Sequence, residues 1–336
     1  LTGFTGSHGM ALLAAEAHGP ATGGERFFTD FRYATQSAEQ VPTRFEREIV
    51  NGELLEALAR SLGPGPGRLG FDEASLTVAA HTRLRELLGE GWKLVPCKRM
   101  VERLREVKDA GELARIRAAT ELADEALGGL LEDGLAGRTE RDVAIDLELR
   151  MRRLGAEAPS FPSIVAAGAH GALPHAEPRA VEIAADVLVT IDWGALHDGY
   201  CSDCTRTYAT GENISTLARD VYGVVLSAQE RALAAVAAGP SGRELDAVAR
   251  GVIEAAGYGE DFGHGLGHGV GIEVHEGPRL SRTAGDDPLK PGNVVTVEPG
   301  VYLPGRLGVR IEDLAVVTDD GSEVLTSLSK VLTVIS

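Results

Sequence analysis

Helical and strand periodicities alternate along this chain in an order that repeats. From Asp109 onward, apolar residues recur at Leu113, Ile116, Ala119, Ala123, Leu127 and Leu130, the spacing of a helix buried on one face. Asp109 followed by Glu112 supplies a capping box to start it, and Thr139 with Asp142 starts a second helix that runs to about Leu154. Two β-rich runs follow, Val187 to Gly194 and Tyr200 to Tyr208, around the turn signal His197-Asp198-Gly199. The order then recurs. Helices are predicted over Ile214 to Ala238 and over Ser241 to Ala256, the second with a Ser241/Glu244 capping box, followed by strands over Asn293 to Glu298 and Gly308 to Thr318. Helix, helix and strand pair occurring twice predict an α+β domain of two related halves that face each other.

The first hundred residues are patterned differently. Ala11 to Glu16 predicts a strand or sheet edge, and Arg26 to Asp30 a strand. Arg44 to Leu62 has helical spacing up to the breaker Gly63-Pro64-Gly65-Pro66-Gly67, and Glu73 to Leu88 predicts another helix. Charged residues between Val101 and Lys108 mark a boundary, so domains of 1–104 and 105–336 are expected. His8, His18 and His81 are isolated, which leaves this region without a ligand cluster. Leu1 opens in mid-pattern without a methionine, and further residues are expected ahead of it.

Charge narrows the class of partner. Lysine and arginine number 33 against 50 aspartates and glutamates, a net −17, which disfavours nucleic acid and anionic membrane surfaces. No apolar run approaches the roughly 20 residues that span a bilayer. Three cysteines, Cys97, Cys201 and Cys204, are too few for a disulfide framework and point to a reducing compartment, the cytoplasm. Cys201 and Cys204 form a C-x-x-C without a second pair, and core packing explains them better than zinc or redox chemistry.

The polar residues inside the predicted strands carry the chemistry. A two-residue loop at His197-Asp198 would set Asp192 directly opposite Asp203 on one face, in the apolar company of Val187, Val189 and Ile191. Two carboxylates that close repel unless a cation lies between them. Glu298 and Glu312 hold the matching places in the second strand pair. Within the second half, between its helices and its strands, Asp261 to Pro278 brings His264, His268 and His275, with glycine at every second position from Gly263 to Gly271. A helix there is costly, so the segment is expected to be extended or looped, with His264 and His268 facing one cavity. Asp192, Asp203, His268, Glu298 and Glu312 together suit a pair of divalent ions such as manganese, cobalt or zinc. Such a pair makes hydroxide available at neutral pH and polarises a carbonyl, which is hydrolase chemistry.

Five segments in this order also carry a resemblance: ALPHAEP at 172–178, IDWGALHDGYCSDCTRT at 191–207, GHGLGHGVGIEVHEGP at 263–278, VVTVEPGVY at 294–302 and VRIED at 309–313. They resemble the Xaa-Pro peptidases, the aminopeptidase P and prolidase branch of the pita-bread metallopeptidases. LTGFTGSHG at 1–9 and FFTDFRY at 27–33 look like the creatinase-type N-terminal domain of that branch. The resemblance implies that Asp192 and Asp203 bind one metal, that His268 and Glu298 join Asp203 at the other, and that Glu312 bridges with Asp203. It implies substrate roles for His175, His264 and His275, an orienting role for Arg310 and a proton-shuttling role for Glu298. A dipeptidase needs a cation for the substrate's C-terminal carboxylate, which Arg279 or Arg282 offers, although arginine after HEGP also occurs in the aminopeptidases. The implied substrate is a short peptide or dipeptide with proline second, and the implied assembly a homodimer. Methionine-type aminopeptidase, or a non-catalytic binding protein of the same fold, are the alternative readings.

Overall fold

The computed structural model describes residues 1–14 and 24–336, and its contacts divide the chain into units of 1–100 and 101–336. The first unit contains β1 (Gly9–Leu12), β2 (Glu25–Asp30), α1 (Ala34–Gln40), β3 (Phe45–Val50), α2 (Leu54–Leu62), β4 (Gly67–Phe71), α3 (Val78–Leu88) and β5 (Trp92–Pro96). β2 pairs antiparallel with β1 and parallel with β3, while β4 and β5 form a separate parallel pair.

Several expectations fail here. Residues 45–50 form a strand and not the first turns of a helix, because β2 offers a parallel partner that buries Phe45 and Val50, and Gly52, at φ +132°, separates the strand from α2. Helix α3 starts at Val78, later than Glu73: the Asp72 carboxylate accepts from Ala74 N and Ser75 Oγ in a local turn, and Thr77 supplies the cap. Strand β1 begins two residues before Ala11 and ends at Leu12; residues 15 and 16, like His18, lie outside the described residues.

Helix α4 (Met100–Arg105) spans both the division at residue 100 and the expected boundary. α5 (Ala110–Leu131) and α6 (Glu140–Leu154) start at the Asp109 capping box and the Thr139 cap. After them come β6 (Ala158–Pro159), β7 (Ile164–Ala167), β8 (Leu188–Trp193), β9 (Ala195–His197), β10 (Tyr200–Cys201) and β11 (Cys204–Ala209). The second half repeats the plan with α7 (Thr216–Ala234), α8 (Gly242–Ala255), β12 (Gly267–Gly269), β13 (Glu276–Leu280), β14 (Val294–Val297), β15 (Gly300–Leu303), β16 (Leu307–Arg310), β17 (Asp313–Val317) and β18 (Ser322–Val324). Among the described residues no helix is long and apolar enough to cross a membrane.

Each helix pair packs on the strands of its own half. Leu127, Val143, Leu147 and Met151 pack with Val165, Val189, Ile191 and Trp193, and Val221, Val225, Leu245 and Ile253 pack with Val295, Val297, Val301 and Val309. Side chains alternate across a strand, so Thr190 and Asp192 point away from α5 and α6, toward the other half. The halves meet there. Thr190 Oγ1 donates to Gly308 O at 3.4 Å, Thr207 Oγ1 donates to Arg310 O at 2.9 Å, and Glu312 N donates to Thr205 O at 3.1 Å. The polar faces of the two halves are thereby closed on each other around the acids, as a pita-bread α+β fold.

Candidate metal centre

The acids stand where strands stop. Asp203 lies in the interruption between β10 and β11, Glu298 immediately follows β14, and Glu312 lies in the interruption between β16 and β17; Asp192 alone is inside a strand. Freed from a sheet ladder, these segments turn their carboxylates to a common point. Asp192 pairs in register with Thr205 and not with Asp203, which corrects the expected direct opposition. The turn is Asp198-Gly199, flanked by the pair His197 and Tyr200, with φ of +48° and +73° at its two central residues. A hairpin of the I′ kind demands positive φ at both, which Asp-Gly adopts more cheaply than His-Asp. The correction moves Asp203 two residues along, a step that leaves it on the same face.

One carboxylate oxygen each from Asp192, Asp203 and Glu312 lies within 4.8 Å of the others. His268 extends the group, its Nε2 standing 3.5 Å from Asp203 Oδ2 and 3.2 Å from Glu298 Oε1. β12 is held by close backbone approach on both sides: a Cβ on Gly267 would collide with Thr296 O, and one on Gly269 with Gly277 O. That packing explains the glycines flanking His268. Thr296 Oγ1 accepts from His268 N at 3.0 Å and donates to Glu298 Oε1 at 3.1 Å, so one hydroxyl sets two members of the site.

Burial pushes the Asp203 carboxyl well above the usual carboxylate range, and Glu312, Asp192 and Glu298 push it the same way. Glu312 is raised by burial and by Glu298 and Asp192; Asp192 is raised by burial in spite of Arg310. Burial acts on Glu298 in the same sense, but the hydrogen bond and charge of His268 bring its carboxyl down to about 2. Asp192 Oδ1 and Glu312 Oε1 are moreover buried with no hydrogen-bond partner among the described residues. Mutual repulsion and two idle acceptors are both relieved by divalent cations, and a carboxylate-rich set with one imidazole fits them.

A second layer orders the first. Arg310, 4% exposed, donates from Nη2 to Asp192 Oδ2 at 2.6 Å, from Nη1 to Tyr302 Oη at 2.9 Å and Pro174 O at 3.1 Å, and from Nε to Thr205 Oγ1 at 3.0 Å. Thr205 Oγ1 in turn donates to Glu312 Oε2 at 2.6 Å. Tyr302 and Thr205 were not among the expected site residues. Their only sign in the sequence is position: Thr205 follows Asp203 by two on the same face, and Tyr302 lies on the strand after Glu298.

The three remaining histidines are differently placed. His264 has both ring nitrogens engaged: Nε2 is 2.9 Å from Tyr302 Oη, and Nδ1 is 2.8 Å from Gly265 O. Tyr302 accepts from Arg310, so its hydroxyl proton is free to go to His264 Nε2, leaving the ring proton on Nδ1. His275 is exposed and its ring sits edge-on to His268 at 4.4 Å between centroids. His175 is exposed on a turn, and burial lowers both His264 and His275. Arg279 is exposed on β13, four residues beyond His275. Cys201 and Cys204 are buried free thiols.

Residues 114–319 match the metallopeptidase family M24, and residues 1–107 match the creatinase/prolidase N-terminal domain. The chain belongs to metallopeptidase family M24. It is 40% identical over all 336 residues to a Bacillus subtilis protein known as an uncharacterized peptidase, covering 92% of it. It is 42% identical over 233 residues to the Xaa-Pro dipeptidase of Pyrococcus furiosus, which is 69% of this chain and 66% of that relative. Among solved structures, the X-Pro aminopeptidase of Thermotoga maritima superposes with a TM-score of 0.88 at 36% identity, covering 99% of this chain and 92% of the other. The Xaa-Pro dipeptidase of Bacillus anthracis superposes with a TM-score of 0.91 at 39% identity, covering 98% and 90%.

Proposed function

We propose that this M24 peptidase releases the first residue of dipeptides or short peptides whose second residue is proline. The observation that carries the reading is the convergence of Asp192, Asp203 and Glu312 with His268 and Glu298 beside three further histidines. The names of the relatives, Xaa-Pro dipeptidase and X-Pro aminopeptidase, support the same bond.

Asp192, Asp203, His268, Glu298 and Glu312 would hold two divalent ions, with manganese the first choice and cobalt or zinc as alternatives. When bound, such ions supply Lewis acidity toward a carbonyl oxygen and a source of hydroxide at neutral pH. The protein's own residues do the rest. Glu298, ionised beside His268, takes a proton from the attacking water and returns it to the departing proline nitrogen. His275, with no hydrogen bond to its ring nitrogens among the described residues, donates to the developing oxyanion. His264, whose Nε2 faces the Tyr302 hydroxyl, is better suited to lining the pocket than to that donation. His175 and Arg279 contact the residue after the cleaved bond. Proline fits a slot that asks for no N–H donor, because its amide has none.

The same proposal divides the chain into a catalytic domain at 105–336 and an accessory domain at 1–104, places it in the cytoplasm and makes it a homodimer, symmetric two-fold pairing being the commonest closed assembly. The test is release of the first residue from Xaa-Pro and Xaa-Pro-Yaa, before and after chelation and after adding back each metal, alongside sedimentation. The His275→Ala variant is expected to keep its metal and lose on the order of 10²-fold in kcat/KM. Activity unaffected by chelation, or equal cleavage when alanine replaces proline, refutes the reading.

A further inference from the structure

We propose that Glu140 is a positioning residue for His175, acting as a clamp that closes the loop on which His175 is carried. The inference rests on the substrate role given to His175 above. Between the end of β7 at Ala167 and the start of β8 at Leu188, the chain crosses the region of Arg310 with one short 3-10 turn, at 168–172, and one isolated β-bridge, Glu182 to Thr139. His175 lies past that turn, so its position depends on how the two ends of the loop are tied.

Both ends are tied to one carboxylate. Glu140 is 1% exposed at the first position of α6. Its Oε1 accepts from Ala167 N at 3.0 Å, and His170 Nδ1 donates to it from 3.0 Å and to Oε2 from 2.9 Å. Its Oε2 also accepts from Arg179 N at 3.0 Å and Arg179 Nε at 3.1 Å, and Oε1 accepts from Arg179 Nη2 at 3.2 Å. Residues 167 and 170 on one side of His175 and residue 179 on the other are thus held to the same two atoms. The backbone repeats the tie, for Glu140 N donates to Val181 O at 3.2 Å and Arg141 N to Arg179 O at 3.0 Å.

The chemistry suits a clamp. A buried carboxylate is costly unless its lone pairs are filled, and this one has donors on both oxygens, three of them from two side chains that bear or can bear charge. It stands at a helix N-terminus, where a negative charge is favoured. Inside the loop, Pro174 O accepts from Arg310 Nη1 at 3.1 Å, so the residue before His175 is also fastened to the arginine that holds Asp192. Glu140 itself is bonded to none of the five carboxylate and imidazole groups of the centre. Its effect on turnover must pass through the loop.

The experiment is a double-mutant cycle on the full-length, manganese-loaded protein, measuring kcat, KM and metal content for Glu140→Ala, His175→Ala and the double variant. Glu140→Ala is expected to retain metal and to lose on the order of 10²-fold in kcat/KM, the scale of a misplaced contact group. In the His175→Ala background the same change is expected to cost no more than about 3-fold, because residues acting as one unit do not add. Equal losses in both backgrounds overturn the clamp, as does an unchanged kcat/KM for Glu140→Ala. A His175→Ala enzyme with normal kcat/KM overturns the role given to His175, and the clamp's purpose with it. If Glu140→Ala does not fold, Glu140→Gln, which keeps volume and one acceptor, is put through the same cycle and judged by the same coupling.

Discussion

Arg310 holds Asp192 by a 2.6 Å hydrogen bond from Nη2 to Oδ2, and it does so from a buried position. The guanidinium also spans Tyr302, Pro174 and Thr205, so one planar fork sets a carboxylate, a loop and the partner of Glu312. Replacing Arg310 by alanine is expected to weaken metal affinity by about 10- to 100-fold, the usual scale for groups that orient ligands. Lysine should recover little, since a point charge cannot reach four acceptors at once. Metal titration of the chelated variants, with kcat/KM alongside, measures both. Native affinity in Arg310→Ala would remove the orienting role.

A second buried arginine locks the centre from behind. Arg206, 1% exposed, donates from Nη2 to Asp313 Oδ1 at 2.8 Å and to Leu328 O at 2.7 Å, and from Nη1 to Glu312 O. Asp313 is further held by Thr326, Gln229 and Lys330 at 2.7, 2.9 and 2.6 Å. Removing one side of such a network strands the other charge in the interior. Asp313→Ala is expected to lose about 3–5 kcal/mol in urea unfolding. A loss under about 1 kcal/mol, the scale of an exposed pair, would show that Arg206 finds another partner.

The pH dependence of stability has a contributor away from the candidate metal centre. Burial raises the Asp124 carboxyl above its ordinary value, against hydrogen bonds from Ser327 N and Oγ at 2.6 and 2.8 Å, and its Oδ1 is buried with no partner among the described residues. A carboxyl whose folded pKa is raised binds its proton more tightly when folded. Its contribution to stability is therefore greatest below the unfolded value, near 4, and falls as pH rises through the folded value. Asp124→Asn removes this slope. Thermal melts from pH 4 to 7 should show the wild type losing Tm relative to Asp124→Asn as pH rises. Parallel curves would mean that Asp124 does not titrate differently on folding.

The helices of the two halves were legible to within a few residues at each end because their causes are local, although the helix expected to run to Ala238 ends at Ala234. Asp109 with Glu112, Thr139 and Ser241 with Glu244 cap the chain within three residues, and the apolar spacing of α5 is a property of one segment. That Asp192, Asp203 and Glu312 come together was legible as well, since carboxylates among apolar neighbours in repeated strand pairs are costly unless they share a site. What the sequence alone could not decide was where the strands break and which residues face each other. Asp192 stands opposite Thr205 because the turn falls at Asp198-Gly199, and residues 45–50 are extended because β2 lies beside them. Those choices are made by partners distant in the chain. Tyr302 between Arg310 and His264, and Glu140 across the His175 loop, likewise exist only once both halves are packed. Short-range hydrogen bonds and periodicity can be read from neighbours in sequence, whereas register, strand ends and buried polar contacts follow from which long-range pairing buries the most apolar surface while leaving the fewest polar groups unpaired.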